Sequence, residues 1–330
     1  FGDGPVVQSE KIGDDNSEYL KKFYAELSLP VNRESHVEVP IKLYYGPNKF
    51  SVLKSYDNKL EKLVPLGWGI FGWVNRFLII PVFNWLGSFI GSYGIIILLL
   101  TIFIKLLLFP LTYKSYMSTA KMKVLKPQID ELAKKYPKGK EMERQQATMN
   151  LYKRVGVNPM GGCLPMLLQF PILIAMFRFF PASIELRQQS FLWADDLSTY
   201  DSILDLPFKI PLYGDHISLF TLLMAAALMV STIMTSKNQP TNNQMPGMKT
   251  MMYFMPIMLL FFFNEYAAGL SYYYFLANLI TILQTWAIRR FFVNDEKVLA
   301  KLEENKKKPV KKSKWQARLE QAAKQKGVRR

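Results

Sequence analysis

Apolar residues in this chain fall in long blocks, and most of the charges sit between them. Five blocks approach the ~20 helical residues that a hydrocarbon core about 30 Å thick requires. They are residues 94–111, interrupted by Lys105; 162–180, with Gln169 inside; 217–235, uncharged; 251–264, short and rich in Met and Phe; and 267–288, with Tyr272, Tyr273, Tyr274 and Asn278. Residues 95–100 and 257–263 are apolar all round, whereas a surface helix of a soluble protein keeps a polar face. A sixth apolar stretch, 66–89, holds Trp68, Trp73, Trp85, Pro81 and a single charge, Arg76. Aromatic-rich segments favour the membrane–water boundary. The expectation is a helix lying along the surface, with a sixth span as the alternative.

The polar segments read differently. Residues 17–27 suggest a short helix and 48–64 a second helical piece. Residues 36–45 alternate as a strand does, through Val37, Val39, Ile41, Leu43 and Tyr45, and end at Gly46-Pro47. This looks like the last part of an extracytoplasmic β-rich domain, and because the chain opens at Phe1 the expectation is that more sequence lies upstream. Residues 113–157 read as a helical hairpin. Met117, Ala120, Met122, Leu125, Ile129 and Leu132 recur near helical spacing, Pro127 bends the helix or starts a new one, and Tyr136-Pro137-Lys138-Gly139 makes the turn. Lys121, Lys123, Lys126, Lys134 and Lys135 make it a platform for a partner or for lipid headgroups, or else a solvated connector. After Phe292 the chain is basic, and such runs are usually disordered and bind anionic partners. Anionic lipid and ribosomal RNA both fit.

Charge then sets an orientation. The chain is half apolar and 14% aromatic, yet carries a net +16. That apolar content excludes general disorder. Residues 113–157 carry eleven Lys or Arg, the loop 182–216 carries two against six acids, and residues 289–330 carry fifteen against five. Lys and Arg collect on the cytoplasmic side of membrane proteins. Five spans therefore put hairpin and tail inside and the acidic loop outside, and place residues 1–60 outside if the aromatic stretch lies flat. A single Cys excludes an intramolecular disulfide, and two His with scattered carboxylates make a poor metal inventory. No metal and no cofactor are expected.

Lys105 is the most informative position. A mid-membrane Lys costs about 2.5–3.5 kcal/mol on insertion scales, so it should face a wet, polar recess. Thr101 lies one helical turn earlier, and Gln169 is the matching polar group of the second block. Asn278, Thr281 and Gln284 share one side of the fifth. The rival reading is that Lys105 snorkels to the inner surface. None of the five blocks holds a carboxylate, which argues against an ion-coupled transporter. No phosphate-binding GxxxxGK[ST] loop and no nucleophile motif is present, so the chain does not read as an enzyme.

Three stretches carry a resemblance. They are Thr101-Ile-Phe-Ile-Lys105 followed by Phe109-Pro110-Leu111-Thr112; Asn158-Pro159-Met160-Gly161-Gly162-Cys163-Leu164-Pro165 followed by Gln169-Phe170-Pro171-Ile172; and Gly269-Leu270 through Tyr273-Tyr274 to Asn278-Leu279. Together they resemble the YidC family of membrane protein insertases. The resemblance implies an all-α polytopic membrane protein: a five-transmembrane-helix insertase core with a cytoplasmic helical hairpin and an interfacial amphipathic helix, preceded by the end of a β-rich periplasmic domain. The expected boundaries are 1–64 for the periplasmic remnant, 65–92 for the interfacial helix, 93–292 for the core and 293–330 for the basic tail. Within the core, spans fall at 94–112, 162–181, 217–235, 250–264 and 267–288, with the hairpin at 113–158.

The resemblance also implies a hydrophilic groove open to the cytoplasm and closed outside. Lys105 supplies its charge, where the family usually has Arg, and Thr101, Gln169, Tyr273, Tyr274, Asn278 and Thr281 supply its polar lining. Met245, Met248, Met251, Met252 and Met255 would give adaptable apolar contacts. The implied function is insertion and folding of inner-membrane proteins without ATP hydrolysis. The implied partners are nascent membrane proteins, the ribosome, the Sec translocon and anionic lipid headgroups, acting on a monomeric core in the bacterial inner membrane. A scaffold that helps helices pack without moving a substrate is the alternative; a small-molecule transporter is disfavoured, because no inverted repeat is visible.

Overall fold

The computed structural model describes residues 6–12, 21–26, 38, 40, 42–136, 139–158, 161, 164–238 and 248–307. The chain divides into two compact units, residues 1–46 and 47–330. In the first, strands β1 (Val6–Lys11) and β2 (Lys21–Glu26) pair antiparallel, with Val6 opposite Glu26 and Lys11 opposite Lys21. The helix expected over 17–27 is therefore a strand wherever it is described. Pairing with a distant segment overrides a weak local preference. Within the strand expected at 36–45, residues 38, 40 and 42–45 form no regular element, and the remainder lies outside the described residues.

The second unit opens with α1 (Phe50–Lys54) and a 3₁₀ turn at Leu60–Leu63. Asp57 and Lys59, at φ 50 and 65, interrupt the single helical piece expected there. The aromatic stretch is helical almost throughout, as α2 (Gly69–Val74), a π turn (Asn75–Ile79) and α3 (Ile80–Gly87). Its buried side carries Ile79, Ile80 and Phe83, while Trp68, Trp73 and Trp85 are exposed. Asn75 is wholly buried, and its Nδ2 donates to the carbonyls of Leu66 at 2.8 Å and Ala175 at 2.9 Å.

Each apolar block is a helix. α4 (Tyr93–Val124) runs 32 residues, straight through Pro110. At 1.5 Å per residue it is about 48 Å long, well beyond a ~30 Å hydrocarbon core. One helix thus serves both as apolar rod and as the first arm of the basic hairpin, carrying Lys114, Lys121 and Lys123 beyond the apolar part. α5 (Lys126–Lys135) follows a break at Leu125, with Pro127 in its first turn, where no donor is needed. α6 (Glu141–Val155) returns and ends at Gly156, whose φ of 70 suits a left-handed cap. The remaining helices are α7 (Leu164–Ala182), α8 (Leu219–Asn238), α9 (Met248–Phe263), α10 (Ala268–Phe291) and α11 (Asp295–Lys307). A small antiparallel ribbon, β3 (Leu204–Ile210) with β4 (Gly214–Ile217), lies between α7 and α8. By length and composition alone, Gly69–Gly87, Tyr93–Val124 and Leu219–Ser236 can each cross a bilayer; Gln169–Ala182 and Thr250–Phe263 are shorter apolar helices.

α10 is the centre of the bundle, packed against α8, α4 and α7. Its Leu270, Tyr273 and Ala277 are buried with Ile97, Leu100 and Ile104 of α4 and Phe180 of α7. Glycine permits one close approach: a Cβ on Gly94 would lie 2.1 Å from the ring of Phe191. The hairpin has a separate core of Met122, Leu125, Ile129, Tyr152, Val155 and Val157, completed by Val298 and Leu302 of α11. The first part of the basic tail is thus a packed helix and not a free run; residues 308–330, including Trp315, lie outside the described residues.

Candidate functional site

Three helices bring polar side chains to one point. Lys105 of α4 reaches across to α10 and α7. Its Nζ donates to Thr281 Oγ1 at 2.9 Å and, more loosely, to Gln169 Oε1 at 3.4 Å. Thr281 Oγ1 donates in turn to the carbonyl of Ala277 at 2.8 Å, which turns its lone pairs towards the ammonium. Lys105, Gln169 and Thr281 are all half-buried. Among the described residues no carboxylate pairs with Lys105. An ammonium has three donors and no acceptor. Two are engaged by neutral oxygens, and one remains for water or for an incoming acceptor. A cation held this way inside an apolar bundle attracts negative or strongly dipolar groups, because the surrounding low dielectric lengthens its reach.

The other sequence-predicted residues fall in different places. Thr101 is wholly buried, and its hydroxyl donates to the Ile97 carbonyl of its own helix at 2.6 Å. It does not join Lys105. The one-turn spacing placed both on one flank of α4, but that flank is closed by packing at Thr101 and opens only at Lys105. Tyr274 is buried and donates to the Leu173 carbonyl at 2.9 Å, tying α10 to α7. Tyr273 is wholly buried beside Phe180, with ring centroids 5.9 Å apart. The polar group beside its hydroxyl is the Gln169 side chain. Both tyrosines are therefore packed inside the bundle and are not an open lining. Asn278 is half-buried and donates to the Tyr274 carbonyl of its own helix at 2.8 Å.

The methionines divide. Met251 and Met255, one turn apart on α9, are exposed at 74% and 42%, and Met252 between them is half-buried. Met245 and the side chain of Met248 lie outside the described residues. Of the hairpin lysines, Lys126, Lys134 and Lys135 are exposed, while Lys121 and Lys123 are half-buried against the hairpin core.

Two features escaped the sequence pattern. Arg178 sits exposed on α7, a second cation in an apolar helix, near its C-terminal end. The larger omission is a polar network at the end of the bundle opposite the hairpin. Asp201, one of the six acids of the loop 182–216, is only 2% exposed. Its carboxylate accepts from the Leu219 and Phe220 amides, from Trp193 Nε1 and from the Ser218 hydroxyl, at 2.5–3.0 Å. A carboxylate on the first amides of a helix is a strong cap, so Asp201 caps α8 from outside its own sequence. Asn264 completes the junction: its Nδ2 donates to the carbonyls of Tyr213 and His216, and its Oδ1 accepts from the Ser218 amide. Thr221 joins Ser271 of α10 at 3.0 Å.

The family model described as 60Kd inner membrane protein matches residues 85–296, and that of the YidC periplasmic domain matches residues 5–81. A "Membrane protein insertase YidC" of Parabacteroides distasonis is 56% identical over 320 residues, covering 92% of this chain and 50% of the relative. The Bacteroides fragilis protein of the same name is 49% identical over 326 residues, covering 96% of this chain and 53% of the relative. This chain therefore spans about half the length of the curated relatives it matches. A solved structure, "Active YidC insertase crystal structure with the first transmembrane domain resolved", aligns at 26% identity and a TM-score of 0.47, over 76% of this chain and 54% of that one.

Proposed function

The chain belongs to the 60Kd inner membrane protein (YidC) family, and from that premise we propose that it inserts and helps fold integral proteins of the bacterial inner membrane, without ATP hydrolysis, through a recess around Lys105. The observation that carries the reading is the half-buried ammonium of Lys105, held by Gln169 and Thr281 with one donor to spare. A substrate's short, often acidic outer segment enters from the cytoplasmic side, attracted by that charge. Its apolar helix then leaves sideways into lipid along α9, where Met251 and Met255 offer adaptable contacts.

Several features of the helices support this reading. α9 has 16 residues, so it is about 24 Å long and favours a locally thin bilayer. The hydrogen-bonded junction of Asp201, Ser218 and Asn264 closes the far end of the bundle, as a recess that stops part way requires. The exposed tryptophans of α2 and α3 suit a helix lying in the interface. The basic hairpin lies in the cytoplasm, where its exposed lysines meet anionic lipid headgroups or a ribosome. Residues 1–64 end a periplasmic domain. The core works as a monomer, alone or beside the Sec translocon.

The test is reconstitution of the chain in liposomes with a single-span substrate bearing a short acidic outer tail. Lys105→Glu is expected to abolish protection of that tail inside the vesicle while the protein stays folded. Insertion at the wild-type level would remove the electrostatic part of the mechanism. A wild-type chain that moves no tail at all would leave only the scaffold reading.

A further inference from the structure

Among the described residues, the ribbon β3–β4 carries exposed apolar side chains that no packing within the fold covers. Ile203, Leu204 and Phe208 are exposed at 48%, 54% and 61%, and Leu212 at the tip at 90%. Leu212 also sits at φ 68, a left-handed conformation for which glycine or asparagine is the ordinary choice. A bulky apolar residue in a conformation that disfavours it, pointing out of the protein, calls for an apolar neighbour.

The ribbon is not free to stand away from the bundle. Tyr213, next to Leu212, is buried, with its ring edge-on to Phe261 of α9 at 5.4 Å. Its carbonyl accepts from Asn264 at 2.8 Å. Lys209 lies 3.8 Å from Glu265 in the α9–α10 turn. The tip is thereby fastened beside the last apolar turn of α9, where Met258, Phe261 and Phe262 are themselves exposed. Leu212, next to Tyr213, adds an exposed apolar side chain at this end of α9. The ribbon's charged side chains each have a polar partner, Lys209 in Glu265 and the two acids as follows. Asp205 is bonded to the Ser202 hydroxyl, and Asp215 faces His216 Nδ1 at 3.3 Å. Pro207 and Pro211 carry no N–H, so fewer unpaired donors face a solvent that cannot satisfy them.

We propose that the tip of this ribbon, centred on Leu212 with Phe208 beside it, inserts into the acyl-chain boundary of the lipid leaflet at the end of the bundle opposite the basic hairpin. It acts as a second membrane anchor alongside α9. The proposal rests on the reading that α9 lies in the membrane, and the test separates the two.

In a Cys163→Ser background, single cysteines at 212, 215 and 258 of the full chain are labelled with an environment-sensitive fluorophore. The chain is then reconstituted in phospholipid vesicles, with brominated acyl chains or aqueous iodide as quencher. The probe at 212 is expected to show blue-shifted emission, quenching by brominated lipid and loss of iodide quenching, while the probe at 215 stays open to iodide. A probe at 212 quenched by iodide like that at 215, or by neither agent, overturns the proposal, the latter because another protein surface would then cover the tip. If 212 fails while the α9 probe at 258 is lipid-quenched, the ribbon inference alone falls. If 258 is also open to iodide, the membrane reading of α9 falls with it. Leu212→Asn suits the left-handed backbone, so the ribbon keeps its fold. In that variant a probe at 208 is expected to lose lipid quenching and gain iodide quenching; unchanged quenching at 208 would also overturn the anchoring role of Leu212.

Discussion

At one end of the bundle, Asp201 receives two backbone amides, an indole N–H and a hydroxyl. Nearer the hairpin, Lys105 shares its ammonium between two neutral oxygens. Both are charged groups inside an apolar frame, and they are treated in opposite ways. The Asp201 end neutralises the cost of burial with a full set of partners, all supplied by helix ends and loops that must then stay in place. The Lys105 cluster leaves its charge under-satisfied and half open. A buried polar network that is complete rigidifies a structure, whereas one that is incomplete keeps the ability to bind something else. The comparison assigns stability to the first region and substrate attraction to the second.

The largest stability effect should therefore come from the satisfied end. Asp201→Ala strands the Leu219 and Phe220 amides and the Trp193 indole N–H, while the Ser218 hydroxyl can turn to Thr221 Oγ1. Unsatisfied buried donors cost about 1–3 kcal/mol each without adding fully, so a loss of about 3 kcal/mol or more is expected. Denaturant unfolding in detergent micelles checks it, and Asp201→Asn, which keeps an acceptor, should lose less. An alanine variant as stable as the parent would mean that this junction is not the rigid one.

The hairpin is an intermediate case, with a small core and few polar ties. Leu302→Ala removes a side chain that is 2% exposed between α11 and the hairpin. Large-to-small changes of this kind cost about 2–5 kcal/mol, and the low end is expected in so small a core. The loss should be local. Hydrogen exchange should quicken in α11 and α5 while α10 keeps its protection; uniform loss would join the hairpin to the bundle as one cooperative unit.

A smaller, pH-dependent effect belongs to Tyr152 in the same core. Burial pushes its phenol from the ordinary 10.0 up to about 12. The neutral form is thus the folded form. Its stabilising effect is whole below about pH 10 and is lost as pH rises through about 12. Near-ultraviolet circular dichroism of the hairpin should change over that range, and Tyr152→Phe should flatten the change. An identical profile in the Phe variant would assign the transition to another group.

The sequence exposes what is local and periodic. Five apolar blocks are legible because lipid or a helix-lined core demands long uninterrupted runs, and Lys105 stands out because a charge in such a run is rare. Gln169 stands out as the polar group within the second block, and Thr281 follows from helical spacing on the fifth. Thr101 is misplaced by the same rule, because spacing says which residues share a flank but not what packs against it. Val298 and Leu302 show the four-residue spacing of a packed helix, yet the charge of the tail masks them. Asp201 leaves no local trace at all. Its partners lie 8 to 19 residues away, and Asn264, which completes the junction, bonds across 46 to 51. Only closure of the fold creates that site. The helix expected at 17–27 fails for the same reason, since β2 exists only through β1.

The sharpest form of the comparison is the substitution that should disturb the fold least. Lys105→Gln removes a charge but keeps an amide able to reach Thr281 or Gln169. Losing hydrogen bonds from a charged donor costs about 1.5–3 kcal/mol each, partly recovered by the amide's own bond, while relieving a half-buried ammonium of its desolvation penalty works the other way. The two effects nearly cancel, so unfolding stability should move by less than about 1 kcal/mol. Insertion should not be spared to match. Substrates with acidic outer tails should slow markedly, and those with neutral tails should slow little, because only the former draw on the missing charge. Equal slowing of both classes would mean that Lys105 shapes the recess and does not attract the substrate. A stability loss as large as that of Asp201→Ala would erase the distinction between the two regions.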